Sequence, residues 1–319
     1  MKYFSFSFFL AIVAIIAAFF IGGFKAVYLT SVLAVLEVSL SFDNAVVNAK
    51  ILRNMDTLWQ KRFLTWGMII AVFGMRFVFP ILIVAIAAKL SIYQTLQIAL
   101  HDPSKYHEIL VNCEDLIYAF GGAFLLMVFN EFLFEEREIR WIKPVEKYAQ
   151  MIGKVNNVAL IVATVTGIVV IAYAKSYEIA IAYFLGMLSF SLLNAINDAF
   201  AVKGVANGLA GFLYLEVLDA SFSFDGVIGA FAITGNIFVI MLGLGVGAMF
   251  VRSLTIWMVE KGVLNEYKYL EHGAHYAIGV LAVIMLLKIF IHVGEIITGS
   301  LGVGLLLAAF LHSKLEKSK

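Results

Sequence analysis

Long apolar runs separated by short polar segments dominate the hydropathy pattern of this chain. Each run is close to the length of about 20 residues that an α-helix needs to cross the hydrocarbon core of a bilayer. On this basis the sequence predicts a polytopic bundle of about ten membrane-spanning helices. The predicted spans cover residues 4–23, 27–49, 63–88, 116–134, 158–174, 176–201, 211–233, 237–259, 275–291 and 295–311.

The composition agrees with an all-α membrane protein. Hydrophobic residues make up 62% of the 319 residues, and only 14% of residues are charged. A soluble domain cannot bury so much apolar surface, so we expect the lipid bilayer to be the main partner of the chain. The net charge of +1 offers no field that would attract nucleic acid. The single cysteine, Cys113, allows no intrachain disulfide.

The basic residues are unevenly distributed among the predicted loops. When the spans alternate, most of the 23 lysines and arginines fall on one side of the membrane. Cytoplasmic loops carry such an excess, so the sequence predicts that both termini are cytoplasmic. We expect a single multi-pass domain over residues 1–319 in the inner (plasma) membrane, and the charged stretch 135–157 is predicted to be a cytoplasmic linker.

Two of the predicted spans contain nearly the same motif. Residues 33–48 read LAVLEVSLSFDNAVVN, and residues 215–230 read LEVLDASFSFDGVIGA. A carboxylate near the centre of a spanning helix costs about 2.5–3.5 kcal/mol, so matched carboxylates in two spans indicate a function. The aligned acidic pairs are Glu37 with Asp219 and Asp43 with Asp225.

The similarity continues into the two spans that follow each motif. The next span carries Arg76 in the first copy and Arg252 in the second, and a helix with a Tyr-x-x-Gly motif follows in both. An odd number of crossings separates the copies, so we expect them to run in opposite directions. The sequence therefore predicts an inverted repeat of three-helix units, with repeat one at about 27–134 and repeat two at about 209–291.

Polar side chains in the motif helices fall on shared faces. Residues three, four and seven apart lie on one face of a helix, which groups carboxylates with hydroxyl and amide oxygens. An all-oxygen set favours hard cations such as Mg²⁺, Mn²⁺ or Ca²⁺. The polar positions are Glu37, Ser41, Asn44 and Asn48 in the first copy, Asp219 and Ser223 in the second, Ser39, Asp43, Ser221 and Asp225 on neighbouring faces, and Glu216 one turn earlier.

Arg76 and Arg252 lie inside predicted spans, where an arginine needs a partner. We interpret each as the counter-charge of a motif acid. The alternative is a clamp for the carboxylate of a zwitterionic or anionic solute. The six histidines lie in loops or near span ends, so we expect them to be solvated or to cap helices.

The SLSFDN and SFSFDG segments resemble the TerC family of integral membrane proteins, and the resemblance covers nearly the whole chain. A longer branch of that family, whose function is unassigned, carries the more similar segments EVSLSFDNAVVNA and EVLDASFSFDGVIGAFAIT. The better-understood members look like manganese exporters. The resemblance implies that the ion-binding positions are Glu37, Asp43, Asn44, Asp219 and Asp225.

These observations favour a transporter that exports a divalent cation, manganese first among the candidates. Proton exchange is the expected coupling, because clustered acids bind protons in a mutually dependent way. Two alternatives stay open: an exporter of a small amino acid or other organic solute, and a non-transporting membrane scaffold. The residues include no nucleophile–base set and no nucleotide-binding loop, so we expect neither enzymatic activity nor a permanently bound cofactor.

Overall fold

The computed structural model is helical wherever it has secondary structure, so the prediction of an all-α protein is confirmed for the residues that it describes. The described residues are 3–67, 69–78, 81–82, 84–85, 89–201, 208–234, 236–263, 267–293 and 295–317. Some side chains within these ranges are not described, among them those of Asp43, Ser223 and Asp225.

Thirteen α-helices and two π-helical segments are found in the described part of the chain. The first third contains α1 (Ser5–Leu40), α2 (Phe42–Arg53), α3 (Thr57–Arg62), π1 (Phe63–Gly67), π2 (Ile70–Val78), α4 (Ile92–His101) and α5 (Pro103–Asn112). The remainder contains α6 (Glu114–Phe134), α7 (Lys143–Ile152), α8 (Val158–Ala174), α9 (Tyr177–Ala201), α10 (Leu209–Ile233), α11 (Ile237–Lys261), α12 (Leu270–Lys288) and α13 (Glu295–Lys317).

Several of these helices have the length and composition of membrane spans. Large apolar side chains are exposed along α1 and α8, where contact with lipid explains them better than contact with water. Both features indicate a protein that is embedded in a membrane. Within the described residues, the four helices that are long and apolar enough to cross a bilayer are Ser5–Val38, Glu114–Phe134, Ile237–Lys261 and Leu270–Lys288.

Helix α1 reverses its direction at Gly23. Ser7 Oγ donates to the carbonyl of Met249 at 3.0 Å, while Glu37 contacts Gly247 only two residues away on α11. A straight helix would hold Ser7 and Glu37 about 45 Å apart, at 1.5 Å per residue. The chain therefore folds back between them, and the two halves of α1 run in opposite directions along α11, as the separate spans 4–23 and 27–49 predicted.

Gly23 makes this reversal possible, with φ of 62° and ψ of −152°, a conformation that is essentially restricted to glycine. We expect Gly23→Ala to lower the free energy of unfolding by about 1–3 kcal/mol, because the added Cβ forces strain into the turn. Thermal unfolding of the purified protein in detergent measures the effect.

Gly304 provides the matched control for this substitution, because it lies in α13 and an added Cβ there meets no atom within 4 Å. Gly304→Ala is expected to leave the stability unchanged or to raise it by up to about 1 kcal/mol, since alanine favours a helix. Equal melting temperatures for the two variants would contradict the assigned role of Gly23.

The first motif helix is broken at Ser41, where α1 ends and α2 begins. Ser41 has φ of −100° and ψ of 16°, and its hydroxyl donates to Glu37 Oε1 at 3.2 Å. The second motif helix, α10, runs without a break over Leu209–Ile233. The predicted span 27–49 is therefore divided between α1 and α2, and hydropathy carries no signal for a break of this kind.

The two motif helices lie antiparallel and in direct contact. Asn44 Nδ2 donates to Asp219 Oδ1 at 2.8 Å, and Glu37 lies against Gly226. Residue numbers rise along one helix as they fall along the other, which defines the antiparallel register. Gly226 has no side chain, so the carboxylate of Glu37 fits against the helix at this position.

Helices α6 and α12 form a second antiparallel pair. Gly122 packs against Leu286, and Gly279 packs against the ring of Phe129. The small residues let the helices approach closely, as is common where spanning helices pack. These are the helices that carry the Tyr-x-x-Gly motif in the two copies.

The segment between α6 and α8 docks on α12. In α7, Glu146 is buried and accepts the backbone N–H groups of Trp141 and Ile142 at 3.0 Å and 3.1 Å. His272 lies 3.5 Å from Glu146, and His275 stacks beneath the linker on an aromatic ring of α6. The expectation of solvated histidines is wrong for these two, because both side chains are buried, and the linker carbonyl of Ile139 contacts His272 at 3.0 Å.

Candidate functional site

Arg76 joins acids from the two motif copies. Its Nη2 donates to Glu37 Oε1 at 2.5 Å, and its Nη1 donates to Asp219 Oδ2 at 3.0 Å. All three residues are at least 95% buried. The result is a charged cluster between α1 and α10, with one positive group shared by two negative groups.

The π2 segment positions Arg76 in this cluster. The i→i+5 winding of a π-helix is uncommon and frequently marks a functional position. Arg76 Nη1 also donates to the carbonyl of Ala71 at 2.7 Å, so the guanidinium is held by its own segment as well as by the acids. Gly247 of α11 also lies against Glu37, and a larger residue in place of Gly247 would not fit there.

Two polar residues of the first copy complete the coordination of these acids. Asn44 Nδ2 donates to Asp219 Oδ1, and the hydroxyl of Ser41 donates to Glu37 Oε1. Each carboxylate thus accepts a bond from Arg76 and a second bond from a motif residue. These contacts give both carboxylates hydrogen-bond donors in a place that excludes bulk water.

Arg252 forms a second pair with Glu216, roughly one helical turn along α10 from Asp219. Its Nη2 lies 3.3 Å from Glu216 Oε1, and its Nη1 donates to the carbonyl of Phe63 at 2.7 Å. The guanidinium also lies 4.1 Å from the Phe63 ring centroid. Each arginine therefore holds a motif acid, which is the arrangement that the counter-charge interpretation predicted.

The structure brings together most of the predicted site residues that it describes. Among the described residues, no group of three or more His, Cys, Asp or Glu side chains is arranged to hold a metal ion. Arg76 lies between Glu37 and Asp219. The residues in the two linked clusters are Glu37, Ser41, Asn44, Arg76, Glu216, Asp219 and Arg252. The side chains of Asp43, Ser223 and Asp225 lie outside the described part of the structure.

The carbonyl groups of Phe63 and Ala71 also belong to the site, and sequence reasoning did not find them. Each accepts a hydrogen bond from one of the two arginines. A backbone carbonyl cannot be recognised as an acceptor from residue type, because its direction depends on the π-helical winding of its segment.

Two apolar cavities flank the charged cluster. One, of about 300 Å³, lies between α1, π2 and α11, and the other, of about 600 Å³, lies beside the helix break and is lined by Val38, Phe42 and Trp257. Among the described residues, no charged side chain lines either cavity. Such walls suit lipid chains better than ions.

The fold and the site together define a helical membrane protein with a cluster of charges buried between two antiparallel helices. The chain belongs to the family described as "Protein of unknown function (DUF475)", which matches residues 42–319. No curated protein and no solved structure matches the chain. No match assigns it to the TerC family, so that resemblance stays a prediction.

Proposed function

We propose that this chain is a membrane transporter that exports a divalent metal cation, manganese, across the inner membrane. The observation that carries the proposal is the buried cluster in which Arg76 bridges Glu37 and Asp219. Ionisable groups inside a membrane are costly, and they mark ion and proton pathways. The proposed cation ligands are Glu37, Asp43, Asn44, Asp219 and Asp225, supported by Ser41, Ser223, Glu216, Arg76 and Arg252.

An inverted repeat accounts for the contacts between the motif helices. In the alignment of the copies, Glu37 corresponds to Asp219 and Asn44 corresponds to Gly226. The contact of Glu37 with Gly226 is therefore the equivalent of the contact between Asn44 and Asp219. A two-fold axis in the membrane plane relates two such contacts, and transporters built this way bind their substrate at the repeat interface.

The topology proposed with this repeat has about ten spans and cytoplasmic termini. The reversal of α1 at Gly23 supports the count, because it divides one long helix into two spans. The break at Ser41 supports the location of the site, since discontinuous helices commonly line substrate sites in transporters. The resemblance to the TerC family supports manganese as the cation.

Arg76 would act as an internal counter-charge that a cation replaces. A divalent cation that reached Glu37 and Asp219 would compete with the guanidinium for their oxygens, while the carbonyl of Ala71 could retain the arginine. Rocking of one repeat against the other would then move the opening from one side of the membrane to the other. Proton exchange would supply the driving force.

The solute-exporter alternative needs a guanidinium that is free to bind a carboxylate. Both Arg76 and Arg252 are already bonded to acids of the chain, which favours the cation. A non-transporting scaffold would tolerate neutralisation of the motif acids as long as the chain folded. Neutral variants of these acids therefore distinguish a cation exporter from a non-transporting scaffold.

The test is Mn²⁺ efflux from loaded cells that express the wild-type chain, Asp43→Asn or Asp225→Asn. We expect efflux from the wild type and loss of efflux in both variants, at equal amounts of protein in the membrane. Glu108→Gln is the control, because Glu108 is an exposed acid on α5 and is expected to leave efflux unchanged. Wild-type rates in both aspartate variants, or no Mn²⁺ movement in the wild type, would contradict the proposal.

A further inference from the structure

Among the described residues, two buried oxygens near the charged cluster have no hydrogen-bond donor. They are Oδ1 of Asn48 and Oε2 of Glu216, in residues that are 2% and 5% exposed. Inside a membrane no bulk water can satisfy such groups, and each unsatisfied group costs several kcal/mol. A hydrogen-bond donor shared by these two acceptors would remove this cost.

The helix register sets these two residues opposite each other. On one side of them, Asn44 bonds to Asp219, and on the other side Met55 contacts Gly211. Asn48 lies one turn beyond Asn44 on α2, and Glu216 lies one turn before Asp219 on α10. In this antiparallel register the two residues lie at the same level of the helix pair.

Charged groups from three elements surround Glu216. Arg252 comes from α11, Arg76 comes from π2, and Asp219 lies on the same helix as Glu216. At the same level of the helix pair as Glu216, α2 carries the side-chain amide of Asn48. Arg252 bonds to Oε1 of Glu216 and to the carbonyl of Phe63, so it does not satisfy Oε2.

We propose that Glu216 binds a proton on Oε2, donates it to Oδ1 of Asn48, and is the proton-carrying residue of the transporter. A single proton satisfies both oxygens, because a protonated carboxyl group is a donor and the amide oxygen is an acceptor. The proton comes from water and returns to water, and no other bond is made or broken. The transport part of this inference rests on the proposed function.

The charges of the cluster explain how this proton would be exchanged for a cation. With Glu216 protonated, Arg76 and Arg252 balance Glu37 and Asp219 among the described residues. Loss of the proton leaves one uncompensated negative charge in a site that excludes water. A cation restores the balance, so cation binding and proton binding oppose each other, as exchange requires.

Infrared spectroscopy of the purified protein tests the protonation without any transport. At neutral pH the wild type is expected to show the carbonyl stretching band of a protonated carboxylic acid, and Glu216→Gln is expected to lose that component. Asn48→Leu should shift the band to higher frequency, since the acid loses its acceptor. Glu108→Gln is the control that leaves the band in place, and a band unchanged by Glu216→Gln would overturn the inference.

Proteoliposomes loaded with Mn²⁺ test the coupling. Glu216→Gln imitates the protonated acid, so we expect a pH gradient to leave its Mn²⁺ flux unaccelerated, whatever its rate without a gradient. Acceleration by the gradient as in the wild type would overturn the inference. An inactive wild type would refute the proposed function, while the infrared band would still decide whether Glu216 carries a proton.

Discussion

Replacement of Arg76 by leucine is expected to lower the free energy of unfolding by about 3–5 kcal/mol, the usual effect of breaking a buried ion pair from one side. Arg76 is 3% exposed and is shared by Glu37 and Asp219, so its loss leaves two carboxylates without a counter-charge. Neither acid can turn to bulk water at this depth. Thermal or denaturant unfolding in detergent measures the change.

Two further variants separate the charge effect from simple loss of packing. In the triple variant Arg76→Leu, Glu37→Gln and Asp219→Asn, no buried charge is left unpaired, so most of the lost stability should return. Arg62→Leu removes an exposed arginine that lies over the ring of Trp59, and it should cost no more than about 1 kcal/mol. Equal free energies of unfolding for Arg76→Leu and Arg62→Leu would mean that the buried ion pairs do not stabilise the fold.

Asp219→Asn is expected to reduce Mn²⁺ export at least about tenfold, which corresponds to about 1.4 kcal/mol. The substitution removes one negative charge from the cluster but keeps an oxygen that can accept a bond from Arg76. The chain should therefore fold and reach the membrane, while the affinity for a divalent cation falls. Efflux from loaded cells, normalised to the amount of membrane protein, gives the result.

Glu271→Gln is the matched control for that loss. Glu271 is also an ion-paired acid, bonded to Lys50 at 2.8 Å and to Arg137 at 2.6 Å, but it lies outside the cluster. Export should continue in this variant. Equal export by Asp219→Asn and the wild type would mean that the cluster has only a structural role.

Most of the helices could be predicted from the sequence, because the length of an apolar run is a local property. The predicted span 116–134 corresponds to α6 at Glu114–Phe134, and 158–174 corresponds to α8 at Val158–Ala174. The boundary between the first two predicted spans also falls on the turn at Gly23. In each case residue type alone carries the information.

The candidate site was only partly predictable. Matched motifs and matched arginines indicated that charges would meet, and the structure pairs Arg76 with Glu37 and Asp219. That a single arginine holds an acid from each copy depends on the register of two helices that are distant in the chain. The burial of His272 has the same origin, because the covering linker comes from another part of the sequence.

The sequence by itself determined the class of the protein, its helical segments and the residue types that form the charged cluster, since these follow from hydropathy and from a repeated motif. Only the tertiary structure decided the break at Ser41, the π winding around Arg76 and the hydrogen bond between Asn44 and Asp219. These features arise from backbone geometry and from packing between distant helices. The cost of an unpaired charge or oxygen in a membrane depends on that packing, so no pattern of residue types could reveal it.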